Sequence, residues 1–244
     1  MNPTVAPTNI VTPSPELPAL LRGDLAHVRQ GVERWDRARV VSWLATIVAG
    51  SALFGAAMGW WRDPLQAGYA AVKFPLIILL TTLGNALINA MLAPLLGVNI
   101  SLRQSLLAVL MSFAIASAIL GAFAPLMAFL VWNTPPLDSA EATATGTYRF
   151  VQLAFVAVIA FAGVAANLRL RQLLDQLGGS AAAARRVLFA WLAVNLLLGS
   201  QLTWIFRPFI GIPGRPVEFL RQDAFSGNFY ETVLIAIRKL LSME

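Results

Sequence analysis

Two groups of residues have the types and spacing to do chemistry. Thr81, Asn85 and Asn89 recur at every fourth position inside an apolar run, so a hydroxyl and two carboxamides share one helical face. Amides turned toward lipid are costly, and that face must look into a helix bundle or toward a partner. It can act as interhelical glue, worth about 1 kcal/mol or less per contact. Joined by Asn195 and Gln201 of the last apolar run, it can instead line a polar path for a transported solute. No charge lies in the middle of the run, which gives a proton or cation route little support. The second group is Trp204, Arg207, Phe209, Phe219, Arg221 and Phe225, near the end of the chain. A planar guanidinium beside aromatic rings can clamp a phosphate or stack on a partner's ring. The same residues can anchor a cap at the membrane surface, their stems lying along apolar rings.

Nothing else points to catalysis. There is no HExxH, no GxSxG, no P-loop lysine and no carboxylate pair inside an apolar run, so the expectation is a protein that is not an enzyme and uses no cofactor. Cysteine is absent and His27 is the sole histidine, which excludes disulfides and thiolate metal sites and leaves too few nitrogens for a histidine-built one.

The elements that must position these groups are apolar. The 244 residues are 58% hydrophobic and 12% charged, with mean hydropathy +0.70, whereas an ordinary soluble domain is roughly 25% charged. Composition therefore places the chain in the membrane class. Its net charge of +6 would suggest nucleic acid in a soluble protein, but here the arginines flank apolar runs, where positive charge orients helices and meets anionic lipid. Membrane lipids, other membrane subunits or further copies of the chain are the expected partners, and nucleic acid is not.

Residues 1–15 are too polar and proline-rich to bury and read as a disordered arm that is not cleaved. In 16–37, Leu21, Leu25, Val28, Val32 and Trp35 share one face, predicting an amphipathic helix that lies in the bilayer interface or packs on the protein's own surface. Spans follow at about 40–61, 74–96, 106–132, 150–168 and 187–206, long enough for a bilayer core of roughly 20 residues, and the third is longer than needed and is expected to tilt or bend near Pro125. Ser51, Gly55 and Gly59 form a small-residue seam on the first, and Ala114, Ala118 and Ala122 on the third. Residues 65–73 read as an interfacial connection, and Asn195, Ser200 and Gln201 as candidate partners of the amide stripe. After Arg207, Gly211, Pro213, Gly214 and Pro216 impose a bent course on 207–218, the first part of an interfacial tail, 207–244. Asn228 and Glu231 have capping-box spacing for a last amphipathic helix, 229–242.

The fold class is thus all-α: a polytopic transmembrane bundle of about five spans with interfacial helices at both ends. Arg22, Arg29, Arg34, Arg37, Arg39, Arg103, Arg169, Arg171, Arg185 and Arg186 gather at one end, favouring a cytoplasmic N-terminus in a bacterial inner membrane. Five spans then put the tail outside. Its own Arg207, Arg215, Arg221, Arg238 and Lys239 fit the cytoplasm better, which requires a third span broken near 121–125.

Three short motifs carry a family resemblance: Val72-Lys73-Phe74-Pro75-Leu76, Leu95-Leu96-Gly97 and Ser101-Leu102-Arg103-Gln104-Ser105-Leu106. Over about 73–126 the chain resembles the bacterial branch of the Yip family, five-span proteins whose eukaryotic members help organise membrane traffic. The resemblance implies the five-span plan and carries over no functional residue. The family's acidic segment with tyrosine and glycine before the first span has no clear counterpart here, and the family does not predict the long tail. The function expected from all of this is a non-enzymatic scaffold, assembly factor or accessory subunit of a membrane complex. The alternative is a transporter or channel component.

Overall fold

A computed structural model describes residues 36–96, 100–139, 146–177 and 181–231. It is all-α, with five helices and no strand among the described residues: α1 (Arg37–Trp60), α2 (Pro64–Leu95), α3 (Leu102–Trp132), α4 (Thr147–Leu177) and α5 (Ala181–Phe206). Each has a stretch long and apolar enough to cross a membrane, with mean hydropathy from 1.5 to 2.4. Five such helices fit a multi-pass membrane protein. The arm expected at 1–15, the helix expected at 16–37 apart from Asp36 and Arg37, and the terminal helix beyond Glu231 lie outside the described residues.

Local chemistry sets the helix starts. Asp36 accepts from Ala38 N at 2.9 Å, and Asp63 accepts from Leu65 N at 2.7 Å with Pro64 in the first turn. Ser101 and Gln104 form a reciprocal capping box. The Asp63 cap explains one departure from expectation. Residues 65–73 are not an interfacial connection but the first turns of α2, which runs unbroken through Pro75. Lys73 looks like a span edge in the sequence because an unpaired ammonium there would be expensive; in the fold the tail covers it.

α1 packs most closely on α3 and α2, α4 lies on α3, and α5 packs chiefly on α2. Gly55 and Gly59 permit the α1–α2 contact: a methyl on Gly55 would overlap the Ala70 carbonyl, and one on Gly59 the Gln66 carbonyl. The third-span seam is met in part, since Ala114 is buried and Ala118 N lies against Gly50. Ser117 and Gly121 face Gly50 of α1, while Ala122 is exposed. Only the smallest residues fit that crossing, and alanine spacing alone does not reveal which of two adjacent rows meets the partner.

The core has two levels. Trp43, Ile47, Leu107, Met111, Leu170 and Trp191 fill the end nearer Asp36. Phe54, Met58, Trp61, Met127, Phe155 and Ile210 fill the opposite end. α3 is continuous past Gly121 and Pro125, so it is one span and not a broken re-entrant pair. The α1–α2 turn, the loop after α3 and the tail consequently share one end of the bundle, opposite Asp36.

Candidate functional site

At that shared end a cap forms. Trp61 stacks on Tyr148 with ring centroids 6.0 Å apart and donates Nε1 to the Pro135 carbonyl at 2.9 Å. Arg62 is ion-paired with Asp138 and donates Nη2 to the Arg215 carbonyl at 2.9 Å. Gly214 N donates to Asp138 Oδ1 at 3.1 Å, and the Tyr148 hydroxyl donates to the Gly211 carbonyl at 3.4 Å. Gly211 has φ +101° and lies against the Arg62 stem, where a Cβ would come within 2.8 Å of Cγ. Only glycine suits that backbone and that space. These contacts knit the α1–α2 turn, the loop after α3 and the tail together.

Beneath the cap is Lys73, 0% exposed. Its Nζ donates to the Pro208 carbonyl at 2.9 Å and lies 5.2 Å and 5.9 Å from the ring centroids of Phe219 and Phe209. Gln66 Nε2 donates to the Pro208 and Phe209 carbonyls at 3.0 and 2.9 Å. Phe74 meets Phe209 edge to face, as Tyr69 meets Phe219. Gln66, Tyr69 and Lys73 follow one helical face, so a single stripe of α2 receives the whole non-helical segment. Burying an ammonium costs several kcal/mol, and the carbonyl and ring faces offset that cost.

The outer surface of the cap holds the arginines. Arg207 lies over the Trp204 ring, 3.4 Å from its centroid, and donates to the Trp204 carbonyl at 2.6 Å. Arg221 donates to Asp223 at 2.9 Å, and Arg207 reaches the same carboxylate oxygen at 4.0 Å. Burial, and to a lesser extent Arg221, push the Arg207 guanidinium below its ordinary value, with Asp223 acting the other way. Arginine remains charged throughout. Of the aromatic residues singled out from sequence, Phe209 turns inward onto Lys73, whereas Phe225 projects outward, 81% exposed. A cavity of about 420 Å³ opens in the cap, lined by Pro208, Arg215, Glu218, Arg221, Gln222 and Asp223 among others.

The amide stripe is only partly assembled. Asn85 donates to Asn195 Oδ1, joining α2 to α5. Asn89 is 1% exposed and neither of its amide atoms has a partner among the described residues; the same holds for the Thr81 hydroxyl. Ser200 and Gln201 do not join the stripe. Ser200 shares a hydrogen bond with the Tyr230 hydroxyl at 2.7 Å, and Gln201 accepts from Phe229 N at 3.2 Å, so both secure the start of the terminal helix. Asn228 caps that start by accepting from Glu231 N at 2.8 Å.

Sequence reasoning did not assign the residues that build the cap: Arg62, Gln66, Lys73, Asp138 and Asp223. The 66, 69, 73 spacing was the available signal, because it places three hydrogen-bonding side chains on one face of a continuous helix. Fold and site together define a multi-pass helical membrane protein whose one end is closed by an ordered, non-helical cap. Comparison with protein-family models, curated proteins and solved structures finds no match. Lys73 holds the cap, and Ser101 with Gln104 caps α3, where Ser105 also donates to the Ala86 carbonyl at 3.1 Å.

Proposed function

We propose that this chain is a non-enzymatic integral membrane protein that serves as a scaffold, assembly factor or accessory subunit of a membrane complex, with the cap as its docking surface. The observation that carries the reading is Lys73. A buried ammonium, two aromatic faces and Gln66 are all committed to fixing the course of 208–219, a segment with no repetitive structure of its own. Membrane anchoring alone needs no such fixed shape, whereas recognition does, because a preformed surface avoids the ordering cost at binding. Phe225, exposed beside the polar rim, is the anchor a partner would cover. The resemblance of 73–126 to bacterial Yip-like proteins is in keeping with a non-catalytic five-span protein.

The reading places the chain in a bacterial inner membrane with its N-terminus in the cytoplasm. The arginines at 22, 29, 34, 37, 39, 103, 169, 171, 185 and 186 support this orientation by the positive-inside rule. Among the tail's basic residues, Arg207 and Arg221 share Asp223. Those two therefore have a structural use at the opposite end.

A photo-crosslinking residue in place of Phe225, activated in cells, should capture one partner in defined stoichiometry. A purified protein that is monomeric in mild detergent, together with no captured partner, would refute the reading.

A second reading, as a transporter or channel component, draws on Asn89, whose buried amide lacks a partner among the described residues. Asn85, Asn89 and Asn195 would then line the path, without Gln201, which is engaged with the tail. Replacing the three with leucine should abolish a flux while the fold survives; unchanged flux would remove this reading.

A further inference from the structure

The cap cavity is lined by charge of both signs. Arg221 and Asp223 satisfy each other at 2.9 Å. Arg215 and Glu218 line the same cavity, and among the described residues the guanidinium of one and the carboxylate of the other make no ion pair or hydrogen bond. A cation and an anion without partners among the described residues thus line one space of about 420 Å³, within the range of small-ligand sites. The wall is fixed from behind, since Lys73 and Gln66 hold the carbonyl of Pro208, which lines the cavity. Pro208 lies just beyond the last residue of α5, and the exposed rings of Trp60 and Trp132 lie at the same end of the bundle. Tryptophans of this kind mark the head-group level of a bilayer.

We propose that this cavity binds the head group of a membrane lipid of the phosphoethanolamine type, its phosphate on Arg215 and Arg221 and its primary ammonium on Glu218 and Asp223. The mixed lining excludes the simpler ligands. A head group bearing phosphate alone would bring no donor to the Glu218 carboxylate, whereas Asp223 already has Arg221. A choline head group carries the right charges but no N–H, and it cannot donate to Glu218. Guanidinium matches phosphate geometrically, and both halves of the zwitterion make charge-assisted hydrogen bonds. The site goes beyond the scaffold reading, and the two are tested separately.

The test uses the full chain, purified in mild detergent, stripped of lipid, and offered equal amounts of phosphatidylethanolamine, phosphatidylglycerol and phosphatidylcholine with identical acyl chains. Native mass spectrometry counts the lipid retained. Phosphatidylethanolamine should be retained about tenfold or more over either competitor, the factor expected from one charge-assisted hydrogen bond. Glu218→Gln and Arg215→Gln remove no contact within the described protein, so both should fold with an unchanged thermal midpoint. Each should lower phosphatidylethanolamine retention by about tenfold. Soluble glycerophosphoethanolamine at equal concentration should not displace the lipid, and displacement would assign the site to a free phosphate ester. Equal retention of the three lipids, or retention unchanged in both variants, would overturn the proposal.

Discussion

Lys73 Nζ donates to the carbonyl oxygen of Pro208 at 2.9 Å, joining the second span to the segment that leaves the fifth. That bond lies beneath the cap, among rings that exclude water. Lys73→Met keeps the apolar stem between Phe209 and Phe219 and removes the hydrogen bond and the cation–π attraction, for a loss of about 1–3 kcal/mol. The expected result is a cap that opens more often, read as faster tryptic cleavage after Arg221, which is followed by Gln222, with the helical content unchanged. Cleavage at the wild-type rate would mean that Lys73 does not hold the tail.

The α1–α2 crossing predicts a contrast among glycines. Gly55→Val and Gly59→Val each drive a side chain into a helix backbone, at a cost of about 3 kcal/mol or more, and should lower the thermal midpoint in detergent sharply. Gly68→Ala meets nothing within 4 Å. There the gain in helix propensity, about 0.5–1 kcal/mol, should leave the midpoint equal or slightly raised.

Gly211→Ala combines a left-handed backbone with a close approach to Arg62. It should destabilise by about 1–3 kcal/mol, and Arg62→Ala should relieve part of that loss. A double-mutant cycle on thermal midpoints measures the relief; strictly additive effects would argue against the contact.

The two asparagines of α2 are predicted to behave differently. Asn85 and Asn195 should show a coupling of about 0.6 kcal/mol, the usual size for a polar contact between membrane helices. Asn89→Leu removes a buried amide that has no partner among the described residues, and should be neutral or stabilising in a thermal melt. A marked loss of stability would show that the amide is satisfied after all.

The helices were legible because hydropathy and length are carried by every residue of a span, and each of the five apolar runs became a helix. The Gly55 and Gly59 seam was legible for the same reason: small residues at every fourth position have few uses inside a span. The cap was harder to read. Its contacts join Gln66 and Lys73 to Pro208 and Phe209, and Arg62 to Asp138 and Arg215, over separations that no periodicity encodes. Lys73 was misleading for a physical reason: a lysine near the end of an apolar run ordinarily marks water, and here it marks a buried carbonyl. The fates of Ser200 and Gln201 depended on where the tail returned, which the apolar pattern of α5 does not specify.

The proposed orientation puts the tail, together with the loop after α3, at the end of the bundle that faces away from the cytoplasm. Single cysteines at Ser139 and Ser226, placed in a chain that has none of its own, test this directly. Treated with a membrane-impermeant thiol reagent in intact cells, both positions should label to a similar extent. Labelling at Ser139 with protection at Ser226 until the cells are opened would put the tail on the other side of the membrane and contradict the cap itself.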